Sequence, residues 1–446
     1  MKPVKFNHPR NKQFELAISI IKRLNSIGHK AYFAGGSVRD MYMNNDVNDI
    51  DIATGAKPED VIKLFNKTLQ VGKQFGVIIV ILENIHFEVT TFRQDKEYVD
   101  GRRPEGVIFT DEKNDVLRRD FTVNGLLYDP IKMEIIDYTQ GIKDIENKII
   151  RAIGNAEKRF TEDKLRLLRC IRFAVKLGFD IEEQTYNSVK KLSPFINQVS
   201  AERISEELKK ILLSPAPARG IGLLNETGLL KEILPEVYTL HGVEQPEEFH
   251  PEGDVYKHTV LMLENMNNPS FELAMAVLLH DAGKPGTYEV SDRIRFSGHE
   301  KLSAELSLDV SSRLKLSKQQ RDRIYSLVLN HMKFKDVKKM RESKLKRFLR
   351  MDYFDEHLEL HRLDCLASHG SVENYNFCID KIKEYKSEQQ PLKPKLLITG
   401  NDLIKMGLKP GPLFSKILTE LENLQLEGKM ESKSAAVNWV KANYNK

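Results

Sequence analysis

Cysteine and tryptophan are scarce in this chain of 446 residues, and long apolar runs are missing from it. The three cysteines, Cys170, Cys365 and Cys378, are too few and too widely spaced for a disulfide framework or a Cys-x-x-Cys zinc site. Without about 18 consecutive apolar residues, no transmembrane helix is expected. The N-terminal residues MKPVKF also lack the apolar run of a signal peptide. We therefore expect a cytoplasmic protein that has no membrane partner.

Apolar residues make up 41% of the chain, which is enough to build hydrophobic cores, and charged residues make up 30%. At roughly 100–200 residues per domain, its length suggests two to four domains. The net charge of +5 is compatible with a polyanionic partner but does not require one. Basic residues are concentrated in residues 333–350, KFKDVKKMRESKLKRFLR. Such a run is either a solvated helix face or a surface that follows phosphates.

Patterns of apolar residues divide the chain into an α/β part and a helical part. AYFAGG (31–36) reads as a strand that ends in glycines, DIDIAT (49–54) alternates acidic and apolar residues as a half-buried strand does, and VGKQFGVIIVIL and IHFEVTTF are expected to pair as neighbouring strands. From about residue 155 the helical period dominates, first in TEDKLRLLRCIRFAVKLG, which Gly178 closes. Stretches rich in Pro, Gly and charged residues divide the chain into four segments. One of these stretches, residues 235–254, looks like a linker. The segments are a head (1–150), a neck (151–240), a body (241–385) and a tail (386–446).

The head carries a motif suited to a metal and a triphosphate. Gly35 and Gly36 at a strand-to-helix turn would let backbone N–H groups approach a phosphate, and Arg39 could add a charged contact. On a strand, Asp49 and Asp51 would point to the same face and repel each other unless a cation lies between them. Mg²⁺ is the natural cation, because it prefers carboxylates, water and phosphate oxygens. Glu88, on a neighbouring strand, is the candidate for a third catalytic carboxylate.

Four motifs in this order carry a resemblance to a known family. They are GGSVRD followed by DID, RRDFTVNGLLYD (118–129), EDKLRLLRCIRFA (162–174) and ERISEEL (202–208). The sequence resembles the tRNA nucleotidyltransferases, the CCA-adding enzymes, of the bacterial and eukaryotic class within the DNA polymerase β-like superfamily. The resemblance implies an α/β nucleotidyltransferase head with a mixed sheet, followed by a mostly α-helical neck, body and tail. It also implies Mg²⁺, CTP, ATP and the 3′ acceptor end of tRNA as cofactor, substrates and partner.

The same resemblance implies roles for residues of the second and third motifs. Arg118, Arg119 and Asp120 would contact the phosphates and sugar of the nucleotide, with Asn124 as structural support. Asp163 and Arg166, three residues apart on a helix, would share a face and read the edge of cytosine or adenine. Arg169 and Arg172 would continue that stripe towards phosphates.

Two positions bear on the resemblance in detail. The polar loop 93–115, which includes Arg102, Arg103 and Pro104, looks full-length, and in the family such a loop argues against an enzyme that adds only C residues. Gly125 stands where the family pattern leads us to expect alanine. If this position lay in a helix, glycine would loosen it by up to about 1 kcal/mol.

A second constellation of histidines and aspartates lies in the body. Its members, in the order H…HD…H…H…D, are His258, His280, Asp281, His299, His331 and Asp364. This order resembles that of the HD phosphohydrolase domain. Imidazole suits transition metals, and an adjacent aspartate can orient a bound water. The resemblance thus implies a second metal site with phosphoester hydrolysis as its reaction, or a former site now used only to dock tRNA. The alternatives for the head are an A-adding enzyme and a poly(A) polymerase, which share its chemistry.

Overall fold

The computed structural model describes residues 4–7, 9, 11–47, 49–95, 106–246, 248, 250–251, 253–387 and 392–444. The chain forms two compact units, Met1–Tyr238 with Arg313–Leu316, and Thr239–Ser312 with Ser317–Lys446. The predicted loop residues Arg102, Arg103 and Pro104 lie outside the described ranges. None of the helices in those ranges has the length and apolar character needed to cross a membrane.

The first unit is built on an eight-stranded mixed sheet, in agreement with the predicted fold class. The strands of the unit are β1 (Val4–Lys5), β2 (Ala31–Ala34), β3 (Ile52–Thr54), β4 (Thr68–Gly72), β5 (Val77–Leu82), β6 (Ile85–Thr91), β7 (Arg93–Asp95), β8 (Val107–Phe109), β9 (Leu126–Asp129), β10 (Glu134–Asp137), β11 (Ile149–Ile150) and β12 (Asp180–Ile181). The large sheet has the order β1-β10-β9-β2-β3-β6-β5-β4. Only the pair β3 and β6 is parallel within it.

The predicted pairing of β5 with β6 is confirmed, with Val80 opposite Phe87 in an antiparallel register. The predicted strand at 49–54 is too long, because the regular strand begins only at Ile52. The residues before it are nevertheless extended along β2, since the Ala34 N–H donates to the Asp51 carbonyl over 3.0 Å. Ile50 is buried while Asp49 and Asp51 are exposed, so the two carboxylates do lie on one side.

The helices of the first unit flank this sheet and continue beyond it. They are α1 (Lys12–Ser26), α2 (Gly36–Tyr42), α3 (Pro58–Leu64), α4 (Glu112–Leu117), α5 (Gly141–Glu146), α6 (Ala156–Glu162), α7 (Leu165–Leu177), α8 (Glu183–Leu192), α9 (Ala201–Leu212), α10 (Pro217–Glu226), α11 (Leu229–Ile233) and α12 (Pro235–Tyr238). Short 3-10 helices occupy Lys73–Phe75, Thr122–Asn124 and Ser193–Gln198. In α1 the buried residues recur every three to four positions, and Phe14 meets Phe33 of the sheet at 5.8 Å between ring centroids.

One helix prediction in this unit is wrong in a way that matters for the site. The segment 161–178 is not one helix, because α6 ends at Glu162 and α7 begins at Leu165. Asp163 lies in the break, with an extended backbone at φ −141°. Asp163 and Arg166 therefore do not share a helical face. The predicted end is correct, since Gly178 closes α7 in the left-handed conformation.

The second unit is almost entirely helical. Its elements are α13 (Val255–Glu264), α14 (Phe271–Leu279), β13 (Tyr288–Val290), β14 (Ile294–Phe296), α15 (His299–Arg313), α16 (Lys318–Asn330), α17 (Glu342–Leu349), α18 (Phe354–Ala367), α19 (Glu373–Ser387), α20 (Gly400–Lys405), α21 (Pro412–Leu426) and α22 (Lys433–Tyr444), with 3-10 helices at Pro285–Thr287 and His331–Lys339. The predicted linker at 235–254 is partly helical, because α12 lies within it. In the tail, Gly428 follows the end of α21 with a left-handed backbone, and α22 comes after it.

Part of the basic run at 333–350 holds the tail helix α21 rather than facing solvent. Lys346 is buried and donates to the carbonyl of Leu426 over 2.8 Å, at the C-terminal end of α21. Arg347 and Arg350 both form ion pairs with Glu422 of the same helix. These three cations are therefore committed to packing within the second unit.

Gly125 has a steric explanation that the sequence did not reveal. It does not lie inside a helix but follows the 3-10 helix Thr122–Asn124 directly before β9. A Cβ atom at this position would lie 2.7 Å from Thr139 Oγ1, 3.2 Å from the Thr122 carbonyl oxygen and 3.3 Å from Ile153 Cδ1. The close packing, and not a helix propensity, therefore favours glycine.

Substitution of Gly125 by alanine is expected to lower the free energy of unfolding by about 1–3 kcal/mol, the usual cost of overpacking. Gly222→Ala is the matched control, because Gly222 lies in α10 with nothing within 4 Å of the new Cβ. That control is expected to raise the free energy of unfolding by up to about 1 kcal/mol. Urea unfolding of both variants measures the difference, and an equal response would contradict the steric explanation.

Candidate active sites

The glycine turn of the head lies where the sequence places it, between β2 and α2. Gly35 has φ +73°, a left-handed conformation that favours glycine, and its N–H donates to the carbonyl of Leu126 over 2.9 Å. A Cβ atom on Gly35 would lie 2.8 Å from Nη1 of Arg119. The absence of a side chain at Gly35 thus allows the guanidinium of Arg119 to approach the turn. The next residue, Gly36, begins α2.

Arg39 is almost completely buried behind this turn. Its Nε and Nη2 donate to the two carboxylate oxygens of Asp40, both over 2.8 Å, and its Nη1 donates to the side-chain oxygen of Asn124. These bonds use three of the five donors of the guanidinium. Arg39 therefore braces α2 against Asn124, and its contact with a triphosphate stays a prediction.

The structure brings the three candidate carboxylates of the head together. Asp49 and Asp51 precede β3, and Glu88 lies on β6, which pairs with β3 so that Ile52 is opposite Val89. Glu88 is exposed like both aspartates. Among the residues that the structure describes, none of the three forms an ion pair within 4 Å. They form an exposed face with a surplus of negative charge.

The electrostatics of this face favour a bound cation. The surrounding protein withdraws water from the carboxyl of Asp51 although the residue is exposed, and this desolvation is the main reason why its pKa rises to about 6. The negative charge of Glu88, and then that of Asp49, adds to the rise, whereas Arg119 opposes it. A carboxyl group in this position gains stabilisation when a divalent cation neutralises its neighbours.

Arg118 and Arg119 share one partner, Asp115, which is absent from the predicted site residues. Asp115 is 1% exposed and accepts hydrogen bonds from Arg118 Nη2 over 2.7 Å and Arg119 Nη2 over 3.0 Å. Burial alone would raise the pKa of Asp115, but the two guanidinium groups lower it. The spacing i, i+3 and i, i+4 at the end of α4 was a signal for this clasp in the sequence.

Asp120 and the arginines of α7 are also paired inside the protein. Asp120 accepts from Arg169 Nε over 2.8 Å, and despite burial the arginine brings its pKa down to about 2. Arg172 lies 3.1 Å from Glu207 of α9 and 4.3 Å from the ring centroid of Phe173. The expected stripe towards phosphates is thus an internal row of ion pairs in this structure.

The predicted base-reading residues are each held by a residue that was not predicted to belong to the site. Oδ2 of Asp163 accepts from Arg203 of α9 over 2.8 Å, and Oδ1 accepts from the Leu165 N–H over 3.1 Å. Nη1 of Arg166 donates to Glu162 over 2.8 Å. Only Arg203 comes from a distant part of the chain, which explains why local spacing did not reveal it.

In the second unit, the structure gathers the predicted histidines and aspartates into two groups of metal-ligand geometry. One group is His258, His280 and Asp364, and the other is Asp281, His299 and His331. Within each group the ligand atoms lie within 4.8 Å of one another. The ring centroids of His280 and His331 are 5.2 Å apart, so the two groups are adjacent.

The donor set of these groups fits transition-metal ions. Nδ1 of His280, His299 and His331 faces the backbone carbonyl three residues earlier, over 2.9, 2.8 and 2.6 Å. A carbonyl oxygen only accepts, so Nδ1 carries a proton and Nε2 is the nitrogen left for a metal. Burial lowers the pKa of His331 to about 3, which keeps that ring neutral.

Asp281 is the carboxylate on which this cluster centres. It lies 3.1 Å from His280, 3.4 Å from His299 and 2.6 Å from the buried Lys284. Burial would raise the pKa of Asp281, but His280 and Lys284 hold it well below its usual range. Asp281 is therefore ionised, as a carboxylate must be to bind a metal. It lies beside residues of both groups.

Four family models match successive parts of the chain, and the last two overlap. The poly A polymerase head domain matches residues 31–151, and the RNA- and SrmB-binding site of polymerase A matches residues 178–240. The HD domain matches residues 254–362, and domain 2 of tRNA nucleotidyltransferase matches residues 312–440. Head and HD families of this kind imply dependence on divalent metal ions.

Curated relatives are named CCA-adding enzyme. The chain is 40% identical over 226 residues to the protein of Streptococcus sanguinis strain SK36, a match that covers 50% of this chain and 56% of the relative. It is 44% identical over 216 residues to that of Enterococcus faecalis strain V583, covering 48% and 53%. The chain thus spans about half the length of the curated relatives it matches.

Solved structures extend the likeness over the whole chain. The Bacillus stearothermophilus CCA-adding enzyme in complex with CTP has a TM-score of 0.75 at 27% identity, covering 98% of this chain and 99% of that one. The Thermotoga maritima CCA-adding enzyme complexed with tRNA-CCA has the same fold, with a TM-score of 0.62 at 19% identity and coverage of 98% and 96%. Fold and sites define a polymerase-type nucleotidyltransferase head joined to an HD domain. The chain matches the poly A polymerase head domain and the HD domain in part, and as a whole it is similar to CCA-adding enzymes.

His331→Ala is expected to weaken binding of Ni²⁺, used as a probe, by roughly 10- to 100-fold or more at one of the two groups, because it removes one of three ligands. Isothermal titration of the apoprotein measures affinity and stoichiometry. His369→Ala is the matched control, since His369 is exposed and belongs to neither group. Unchanged Ni²⁺ binding by His331→Ala would contradict the metal assignment.

Proposed function

We propose that this protein completes the 3′ end of tRNA by adding C, C and A from CTP and ATP, without a nucleic-acid template and with release of pyrophosphate. The observation that carries the proposal is the face formed by Asp49, Asp51 and Glu88 next to the Gly35 turn and Arg119. The names of the relatives and the CTP and tRNA complexes of the solved structures support the choice of substrates. Maturation of tRNA also suits the cytoplasmic location expected from the sequence.

The carboxylates Asp49, Asp51 and Glu88 would hold Mg²⁺, the ion that best suits an all-oxygen ligand set. Bound there, Mg²⁺ supplies activation of the attacking 3′-OH and charge stabilisation for the leaving pyrophosphate. The protein itself positions the triphosphate. The N–H of Gly36, at the start of α2, and the guanidinium groups of Arg118 and Arg119 are the donors for its oxygens.

Nucleotide choice is assigned to Asp163 and Arg166, which act in place of a template. The hydrogen bond from Arg203 and the ion pair with Glu162 hold these two side chains in defined orientations. Each carboxylate oxygen of Asp163 can accept a second hydrogen bond, so capacity for a base edge is left. Uracil or guanine would leave donors or acceptors unpaired at this edge, which is the physical basis of rejection.

The HD body supports a second activity, hydrolysis of phosphoester bonds at RNA ends such as 2′,3′-cyclic phosphates or phosphate monoesters. The convergence of four histidines and two aspartates in two adjacent groups favours it. A transition metal held there would lower the pKa of a bound water.

His331→Ala is expected to lose phosphoester hydrolysis and to retain nucleotide addition, which would separate the two activities. Equal hydrolysis by the wild type and His331→Ala would reject this second activity.

The main test uses three tRNA transcripts that end at the discriminator base, at C and at CC. Each is incubated with CTP, ATP or both, and the products are resolved at single-nucleotide length. We expect all three to be completed to CCA and to stop there. Extension of the CC-ending transcript alone would indicate an A-adding enzyme, and long A tracts would indicate a poly(A) polymerase.

Asp49→Ala is the inactive control for this test, since a shared metal site must serve both nucleotides, and we expect no addition of C or A. Asp46→Ala is the matched variant, because Asp46 is an exposed carboxylate only three residues away. It is expected to retain activity. Retained addition of either nucleotide by Asp49→Ala would reject the assignment of the head.

Asp163→Ala is expected to relax base choice more than it weakens binding of the triphosphate. Loss of one bidentate base contact corresponds to about 1–3 kcal/mol, or roughly a 10- to 100-fold loss of discrimination against UTP. The ratio of kcat/KM for CTP and UTP measures it. Asp180→Ala, at an exposed position in the same unit, is the control. An unchanged ratio in Asp163→Ala would count against the role in base reading.

A further inference from the structure

Asp115 lies at the centre of a hydrogen-bond cluster that joins three parts of the head. Besides Arg118 and Arg119, its carboxylate accepts the backbone N–H of Arg93 over 3.2 Å. Arg118 Nε in turn donates to the Arg93 carbonyl over 2.9 Å. Asp115 and Arg118 thus hold both sides of one backbone unit at the start of β7.

The geometry of Arg119 shows what this clasp achieves. One guanidinium nitrogen is held by Asp115, whereas Nη1 approaches the Gly35 turn and lies 3.4 Å from the Asn124 carbonyl. The charge of Arg119 also reaches Asp51, whose proton affinity it lowers. Within the described residues, Nε of Arg119 is buried and has no hydrogen-bond partner. The part of the guanidinium that reaches the glycine turn is Nη1, and its positive charge there suits an anionic ligand.

The charges of the cluster do not cancel. Two guanidinium groups face one carboxylate, so one positive charge is left for a phosphate while Asp115 relieves the repulsion between the arginines. A side chain held at two points also loses less entropy when it binds a ligand than one that is unrestrained. The carboxylate therefore orients the arginines without neutralising them.

We propose that Asp115 is a positioning residue for the triphosphate, which fixes Arg119 at the glycine turn and ties both arginines to Arg93. The inference rests on the proposed nucleotide-adding function. It assigns to Asp115 no contact with the nucleotide, and its effect passes through Arg118 and Arg119. The class of ligand that it serves is a nucleoside triphosphate, through the phosphates and not through the base.

Asp115→Asn preserves the shape of the side chain and removes its charge. We expect KM for CTP and for ATP to rise by roughly 10- to 100-fold, as for other changes that misplace a binding group by about 1 Å. Binding of CMP, measured by titration, is expected to change far less than binding of CTP, because the arginines meet the outer phosphates. Equal losses for CTP and CMP would overturn the proposal and indicate a merely structural role.

A double-mutant cycle with Arg119→Ala separates action through Arg119 from general damage. If Asp115 acts through this arginine, Asp115→Asn adds little to the loss of CTP affinity already caused by Arg119→Ala. Fully additive losses would overturn the proposal. Asp111→Asn is the matched control, because Asp111 is the exposed N-cap of the same helix and asparagine also caps well.

Asp115→Glu covers the case in which removal of the charge prevents folding. It keeps the anion that the two arginines require but moves it by one methylene, so KM for both triphosphates is again expected to rise. Unchanged KM in a folded Asp115→Glu protein would overturn the proposal. Failure of the proposed function itself is recognised separately, because the wild-type protein would then add no nucleotide to any transcript.

Discussion

The first unit depends most on one kind of interaction, the pairing of buried and half-buried arginines with carboxylates. A guanidinium group cannot lose its proton in a protein, so each buried one requires an anion. The half-buried Arg169 pairs with the buried Asp120, and the half-buried Arg172 pairs with the buried Glu207. Removal of one partner from such a pair costs about 3–5 kcal/mol, because a charge is left uncompensated. The pairs therefore fix α7 against the 3-10 turn on one side and against α9 on the other, which places the candidate base-reading residues at the start of α7.

This pairing also explains why the negative face of the head stands out electrostatically. Arginines behind the face are engaged with their own carboxylates, so among the described residues only Arg119 acts as a cation on Asp51. Asp49, Asp51 and Glu88 are left with a surplus of negative charge that solvent and Arg119 only partly offset. A triphosphate would be repelled from such a face unless cations lay between them. Divalent ions and anionic substrate are for this reason expected to bind together, each lowering the cost of placing the other.

How far the sequence predicts this arrangement depends on whether the determining contact is local. The hairpin of β5 and β6 was predictable, because β-branched residues and a short turn leave few alternatives. The break between α6 and α7 at Asp163 was not predictable, because the helical period of apolar residues continues across it. Arg203, which donates a hydrogen bond to the Asp163 side chain, comes from α9. Glycine at position 125 was likewise misjudged, because its neighbour Thr139 is known only from the fold. Side chains with distant partners are the ones whose orientation the sequence leaves undetermined.

The two candidate metal sites differ in ligand chemistry, and this difference has a functional consequence. Oxygen ligands alone, as in the head, suit Mg²⁺, whereas imidazole and carboxylate together suit transition metals. In the HD body, three rings have Nδ1 bonded to a carbonyl, which leaves Nε2 of each for a ligand of its own group. Buried core histidines without a ligand would not need to share this use of Nδ1. The ligand geometry thus argues that the HD body is built for metal, and that its occupancy can vary independently of Mg²⁺ in the head.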